Sequence, residues 1–175
     1  MAFLILALYI ISCLILFAVI YIMLRPMLFG AIYFPTTSGN VEIIRKVADI
    51  KPHDKVADLG SGDGRILIAL ARAGAEAHGY EIDPFLVILS RHSIRKAGLK
   101  GKAFVHWKSF WKADLSSYRT VIAYGFPHIM KPLGEKLKNE LAPGAKVISN
   151  IFIFPNLTEI RSENNVRVYT IPERQ

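Results

Sequence analysis

The first charged side chain in this sequence is Arg25, and from Met1 to Leu24 every residue except Ser12 is apolar. Wound into a helix at 1.5 Å per residue, that run extends about 36 Å, which covers the roughly 30 Å of hydrocarbon in a bilayer. It is therefore expected to be a retained transmembrane helix. A cleaved signal peptide fits poorly, because no basic residues open the run, it is too long, and no small-x-small cleavage site follows. All 22 Lys and Arg and all 14 Asp and Glu lie beyond it, so the net charge of +8 belongs to the remainder of the chain. With 52% apolar residues the chain is not disordered, and it shows no repeat of solenoid length. Its one cysteine, Cys13, sits inside the apolar run, which leaves the polar part without a disulfide, a thiolate metal site or a cysteine nucleophile and suits a reducing compartment. The expected organisation is a transmembrane helix over 1–24, a short juxtamembrane connection over 25–37 marked by Pro26, Gly30 and Pro35, and a domain over 38–175. Arg25, Arg45 and Lys46 on the carboxyl side of the span place that domain in the cytoplasm.

From Ser38 onward, helical and strand patterns alternate. Val41, Ile44, Val47 and Ile50 recur at helical spacing and predict a helix ending near Lys51-Pro52. Strands are predicted at Lys55–Leu59, Ala77–Ile82, Lys102–Trp107, Thr120–Tyr124, Lys146–Ile151 and Val166–Ile171. Between them come helices from Gly64 to Gly74, from Asp83-Pro84 to Gly98, and from His128 to Leu141, the last interrupted early by Pro132. This alternation predicts an α/β fold with a doubly wound, mostly parallel Rossmann-like sheet, whose ligands bind at the carboxyl ends of the strands.

At those ends stands Asp58-Leu59-Gly60-Ser61-Gly62-Asp63-Gly64-Arg65, a glycine loop immediately after the first strand. Glu81 ends the second strand, 23 residues after Asp58, where a nucleotide-binding sheet places an acid on the ribose hydroxyls. The glycines alternate, unlike the G-x-G-x-x-G of a dinucleotide site, and the carboxylates beside them disfavour a pyrophosphate. They suit a ligand carrying a sulfonium and an α-ammonium, such as S-adenosylmethionine. A P-loop is excluded, since no lysine follows at Walker spacing.

These residues resemble the class I, seven-β-strand methyltransferases over 53–171. A narrower resemblance rests on Phe34-Pro35-Thr36, Asp58 to Arg65, Gly79-Tyr80-Glu81-Ile82-Asp83-Pro84, and Tyr124-Gly125-Phe126-Pro127-His128-Ile129-Met130, together with one N-terminal membrane helix. That combination is similar to the small membrane-anchored protein lysine methyltransferases whose mitochondrial members modify the ATP synthase c-subunit and the adenine nucleotide carrier. The resemblance implies S-adenosyl-L-methionine as cofactor, with Asp58, Gly60, Ser61 and Gly62 on its methionine part, Glu81 on the ribose and Ile82 on the adenine. Tyr33, Pro35 and Thr36 would cover it from the N-terminal side. After the third strand the family usually has an Asp for the adenine amino group; here Ser109 stands in its place, with the backbone N–H of Phe110 for the ring nitrogen.

The [DN]-P-P-[YF] tetrapeptide that orients planar nitrogens in other methyltransferases is absent, and Tyr124 to Pro127 stands there instead. An aliphatic amine is thereby favoured as acceptor, with Tyr124 the candidate for lining its channel. The expected function is a membrane-anchored protein lysine N-methyltransferase acting on an accessible lysine of a membrane protein. A methyltransferase of a lipid or membrane-soluble small molecule is the alternative, and a non-catalytic scaffold ranks below both. The expected partners are that protein and the lipid bilayer, through residues 1–24, of a bacterial or archaeal plasma membrane or alternatively the mitochondrial inner membrane. The run Arg91, Arg95, Lys96, Lys100 and Lys102 raises nucleic acid, but it lies opposite the expected active site and reads as a solvated face. No metal is expected, since the five histidines lack ligand spacing. Asp83 reads as a helix cap, while Trp107 and Trp111 divide between core packing and lining the adenine or substrate pocket.

Overall fold

The computed structural model describes residues 1–29, 35–125 and 127–173. Helix α1 (Ala2–Phe29) opens the chain, and all of its side chains through Tyr21 are exposed. Over Ala2–Tyr21 it is long and apolar enough to cross a membrane. The helix runs on past Leu24 into the stretch expected as a connection.

Helix α2 (Ser38–Ala48) begins where the Thr37 side chain accepts the N–H of Asn40. It closes at Ala48, short of the expected Lys51-Pro52, because Asp49 takes a left-handed φ of 49° that ends the helical run. Strand β1 (Lys55–Leu59), helix α3 (Arg65–Arg72), strand β2 (Glu76–Glu81), helix α4 (Pro84–Lys96) and strand β3 (Ala103–Trp107) follow. Asp83 caps α4 by accepting the N–H groups of Phe85 and Leu86, with Pro84 in the first turn, as the sequence predicts. A 3₁₀ turn at Phe110–Lys112 leads towards strand β4 (Thr120–Ala123), helix α5 (Pro127–Glu140), and strands β5 (Lys146–Asn150), β6 (Thr158–Glu163) and β7 (Val166–Thr170). The expected interruption at Pro132 does not occur. That proline lies in the second turn of α5, where it removes one N–H from the ladder without ending the helix.

The seven strands form one sheet in the order β3-β2-β1-β4-β5-β7-β6. β1 to β5 run parallel, whereas β7 is antiparallel to both β5 and β6. Alternation along the central strands gives the sheet two apolar faces. Val56, Ile122 and Ile148 join Ile44, Leu67 and Leu70 under α2 and α3, while Ala57, Val121 and Val147 join Met130, Leu133 and Leu137 under α5. Strand β6 has no counterpart among the predicted strands. All but one of its residues are exposed, so it carries no core pattern, and a bulge between Glu159 and Arg161 breaks its register. Its one local signal is the Asn164-Asn165 pair joining it to β7, both residues at positive φ (48° and 64°), as a two-residue primed hairpin turn requires.

Candidate active site

The carboxyl ends of β1 and β2 lie side by side, with Asp58 in register with Gly79 and Leu59 with Tyr80. The loop after β1 stays attached to β2: the N–H groups of Gly60 (2.9 Å) and Ser61 (3.3 Å) both donate to the Tyr80 carbonyl. The loop then folds tightly through Gly60, Gly62 and Gly64, with φ of 86°, 54° and 82°. At Gly64 a side chain is excluded twice, by that φ and by Ser90 Oγ, which occupies the place of a β-carbon.

Three carboxylates surround this loop, and each is treated differently. Asp63 is paired with the Arg65 guanidinium at 2.7 Å. Glu81 is buried yet held by backbone: one oxygen accepts from Gly62 N–H at 3.0 Å, the other from Ile82 N–H at 2.7 Å and Asp83 N–H at 2.9 Å. Asp58 is only 3% exposed and receives no hydrogen bond from the described residues. Burial, reinforced by the negative charges of Glu81 and Asp63, pushes its carboxyl up to about 7. A site with this surplus of negative charge is complementary to a cation.

Ser61 behaves differently from its neighbours. Its Oγ is buried without a partner and packs against β2, so close that a β-carbon on Gly79 would lie 2.5 Å from it. Its backbone is engaged too, the N–H with the Tyr80 carbonyl at 3.3 Å and the carbonyl with the Gly64 N–H at 2.9 Å.

Ile82, Trp107, Ser109 and Trp111 line a cavity of about 690 Å³ beside this loop. Trp107 braces it by donating its indole N–H to the Ile82 carbonyl at 3.2 Å. The Ser109 side chain makes no capping bond to the 3₁₀ turn it precedes. Phe110 is buried and packs at a tilt against Trp111, with ring centroids 5.1 Å apart. As the first residue of that turn, its N–H has no acceptor within the turn. Trp107 therefore falls on the pocket side of the alternatives left open by the sequence, while Trp111 does both, lining the cavity and packing against the core.

From the N-terminal side, Thr36 is brought to the loop and held there. Its carbonyl accepts from Arg65 Nη1 at 2.7 Å, and its hydroxyl accepts from Asn150 Nδ2 at 3.3 Å. Asn150, at the end of β5, accepts in turn from Asn40 Nδ2 at 2.9 Å, and Asn40 Oδ1 accepts from Asn164 Nδ2 at 2.7 Å. Pro35 lies exposed beside this clasp, while Tyr33 falls outside the described residues. Asn150 escapes a reading of the sequence; its one signal is a polar residue closing an apolar strand.

Tyr124 follows β4 directly, half-buried, stacked on Phe152 with ring centroids 6.0 Å apart. Burial raises the pKa of its phenol, so the hydroxyl stays neutral at physiological pH. Phe126 of the same motif lies outside the described residues. Just past the end of the neighbouring β5, Ile151 adopts a φ of 73°, with Phe152 N–H bonded to the Asn150 carbonyl at 3.0 Å. A β-branched residue at the centre of such a turn is strained, as backbone beside binding sites often is.

A sheet in this order, with a glycine loop after β1 and an acid closing β2, defines a class I methyltransferase fold. The family described as ANTKMT methyltransferase domain matches residues 58–161, and the chain belongs to it. The rat ATP synthase c-subunit lysine N-methyltransferase is 40% identical over 126 residues, covering 72% of this chain and 58% of the relative. A protein-lysine N-methyltransferase of Saccharolobus islandicus is 32% identical over 143 residues, covering 81% and 85%. The crystal structure of an RNA methyltransferase from Salinibacter ruber with S-adenosyl-L-homocysteine superposes with a TM-score of 0.76 at 35% identity, over 81% of this chain and 96% of that one. The chain spans about half the length of the vertebrate c-subunit lysine N-methyltransferases it matches.

Proposed function

We propose that this chain is an S-adenosylmethionine-dependent protein-lysine N-methyltransferase, held in a membrane by α1 and acting on a lysine of a membrane protein. Kinship carries the reading: relatives named lysine N-methyltransferases, from vertebrates and an archaeon, match at 32–40% identity, and two kinds of them are named for membrane-protein substrates.

The residues present fit the cofactor. The Asp58 carboxylate, with no donor among the described residues, suits a ligand bearing positive charge, and Gly60 and Gly62 have no side chain to bar its approach. Glu81 keeps one acceptor direction, on the oxygen bonded to Gly62 N–H, for a ribose hydroxyl. Ile82 and Ser109 share the cavity beside the loop, which is roomy enough for an adenine, and Thr36 closes the near side. Bound there, S-adenosylmethionine supplies an electrophilic methyl group and its own leaving group, so the chain's task is alignment and exclusion of water. A lysine ammonium must first lose a proton, at a cost of about 4–5 kcal/mol at pH 7 unless the site lowers its pKa. Tyr124 is the residue best placed to meet that amine, its neutral hydroxyl serving as acceptor and its ring as an apolar wall.

RNA as acceptor is the second reading, favoured by the name of the Salinibacter ruber protein. Its support in this chain is a basic groove of about 820 Å³ along edge strand β3, lined by Arg91, Arg95 and Lys100. The groove adjoins the carboxyl end of α4, away from the Asp58 loop, which speaks for the lysine reading. Incubating the reconstituted full chain with tritiated S-adenosylmethionine and isolated membranes decides. Protease-sensitive label mapping to methyl-lysine supports the proposal; nuclease-sensitive label promotes RNA; label extracted with lipid promotes a lipid acceptor.

A further inference from the structure

Outside α1, eight large apolar side chains are exposed among the described residues, and their distribution is uneven. Phe104 and Ile160 lie within edge strands β3 and β6. Of the other six, Trp107 closes β3, Phe85 stands in the first turn of α4 just after β2, and Ile151 and Ile153 follow β5, all at the rim that surrounds the candidate cofactor site, while Ile88 and Leu89 lie further along α4. Phe85 is 75% exposed, Trp107 66% and Ile153 55%, although each is large enough to have been buried at a gain. Apolar side chains gathered along one rim mark an interaction surface, whereas scattered ones need no explanation.

Two observations identify what covers the rim. The segment leading from α1 is clasped there, because Thr36 is bonded to Arg65 of the glycine loop and to Asn150 at the end of β5. From Phe29, the last helical residue of α1, to Pro35 the chain can reach no more than about 20 Å. The membrane-length helix also comes up to the rim, since Tyr21, within one turn of the end of the apolar run at Leu24, lines the same cavity as Trp107 and Trp111. A tyrosine at the end of a span marks the level of the lipid headgroups. Trp107 therefore stands at that level too, and Lys108 and Lys112 beside it offer charge to anionic phosphates.

We propose that the carboxyl rim of the sheet is itself a membrane-contact surface: Phe85, Trp107, Ile151 and Ile153 settle into the lipid interface and hold the mouth of the cleft against the bilayer. The inference rests on the reading of α1 as a membrane anchor and adds orientation to it. A cleft held in this way accepts a lysine at the headgroup level of a membrane protein and is closed to one far out in solution.

The sequence has two tryptophans, so Trp111→Phe in the full chain leaves Trp107 as a lone fluorescent reporter. The protein is reconstituted into vesicles of phosphatidylcholine with a minor share of phosphatidylglycerol, with and without bromine on the acyl chains near the headgroup. Trp107 emission is expected to fall roughly twofold in the brominated vesicles, as contact with the interface requires. Adding Phe85→Glu and Ile153→Glu, both at exposed positions, is expected to relieve the quenching while the protein still floats with the vesicles. Equal emission in both vesicle types, with flotation intact, overturns the rim contact and leaves the anchor standing. If iodide in the buffer also fails to quench, a second copy of the chain covers the rim instead. Failure to float overturns both readings.

Discussion

Glu81 and Gly62 are joined across the cleft floor: the Glu81 carboxylate accepts the Gly62 N–H at 3.0 Å while its other oxygen holds the N–H groups of Ile82 and Asp83. The acid that would bind the ribose is thus also the strut that fixes the glycine loop to β2. Replacing it with alanine strands three donors, one buried and two part-buried, so Glu81→Ala is expected to lose about 1–3 kcal/mol of stability as well as cofactor affinity. Glu81→Gln keeps the size but turns an NH₂ towards backbone donors, and is expected to weaken S-adenosylmethionine binding tenfold or more with a smaller loss of stability. Calorimetry and thermal melts on the two variants separate the strut from the ligand contact. Equal melting temperatures for wild type and alanine variant would refute the strut.

Asp58 gives the site a pH dependence whose sign is fixed by its raised pKa. Between about 4 and 7 the folded protein holds a proton on Asp58 that the unfolded chain has released, so this group's share of stability declines as pH rises through that window and levels off above it. Asp58→Asn is accordingly expected to raise the melting temperature of the ligand-free protein by several degrees at pH 8 and to leave it unchanged near pH 4. A cationic ligand selects the ionised form. Affinity for S-adenosylmethionine should therefore increase from pH 6 to pH 7.5 by up to about tenfold, with proton release on binding, and both effects should vanish in the asparagine variant. Titration calorimetry in buffers of different ionisation enthalpy reads the proton directly.

What can be read in advance is whatever repeats locally. The strands from Lys55 to Asn150 announce themselves by apolar runs between turn residues, and Asp58 and Glu81 by their place at strand ends. β6 cannot be read because its order comes from pairing with β7, while its own side chains face solvent. The Asn40, Asn150 and Asn164 network joins residues 110 and 124 positions apart, a distance at which no pattern in the chain connects them. The motif assigns Ser61 to the ligand, yet its hydroxyl packs beneath the loop, because Gly79 on the neighbouring strand leaves room there. That is a tertiary fit, invisible from the loop alone.

Gly79 supplies a stringent test of that fit. A methyl group there would meet Ser61 Oγ at 2.5 Å and Leu67 Cδ1 at 2.6 Å, so Gly79→Ala must push the loop outward or distort β2. Overpacking of this kind costs about 1–3 kcal/mol, and the displaced loop should lower cofactor affinity as well. Adding Ser61→Gly removes the oxygen in the way and is expected to recover part of both losses, a non-additivity that a double-mutant cycle detects. Additive losses would mean that the strain falls on Leu67 instead.

The clasp at Asn150 makes the last prediction. Asn150→Ala leaves the Thr36 hydroxyl without its donor and the Asn40 amide without its acceptor, both in buried positions. The expected cost is about 1–3 kcal/mol, concentrated where α2 begins. Hydrogen exchange should quicken over residues 36–41 and stay unchanged in β1 and β4, since the core beneath those strands is untouched. Cofactor affinity should drop with it, because Thr36 closes the near side of the site only while it is held. Asn40→Ala cuts the same chain one link further from Thr36 and should produce the same exchange pattern with a smaller effect on binding. An affinity loss as large as that of Asn150→Ala would mean that the position of α2 governs the site, and the Thr36 contact does not.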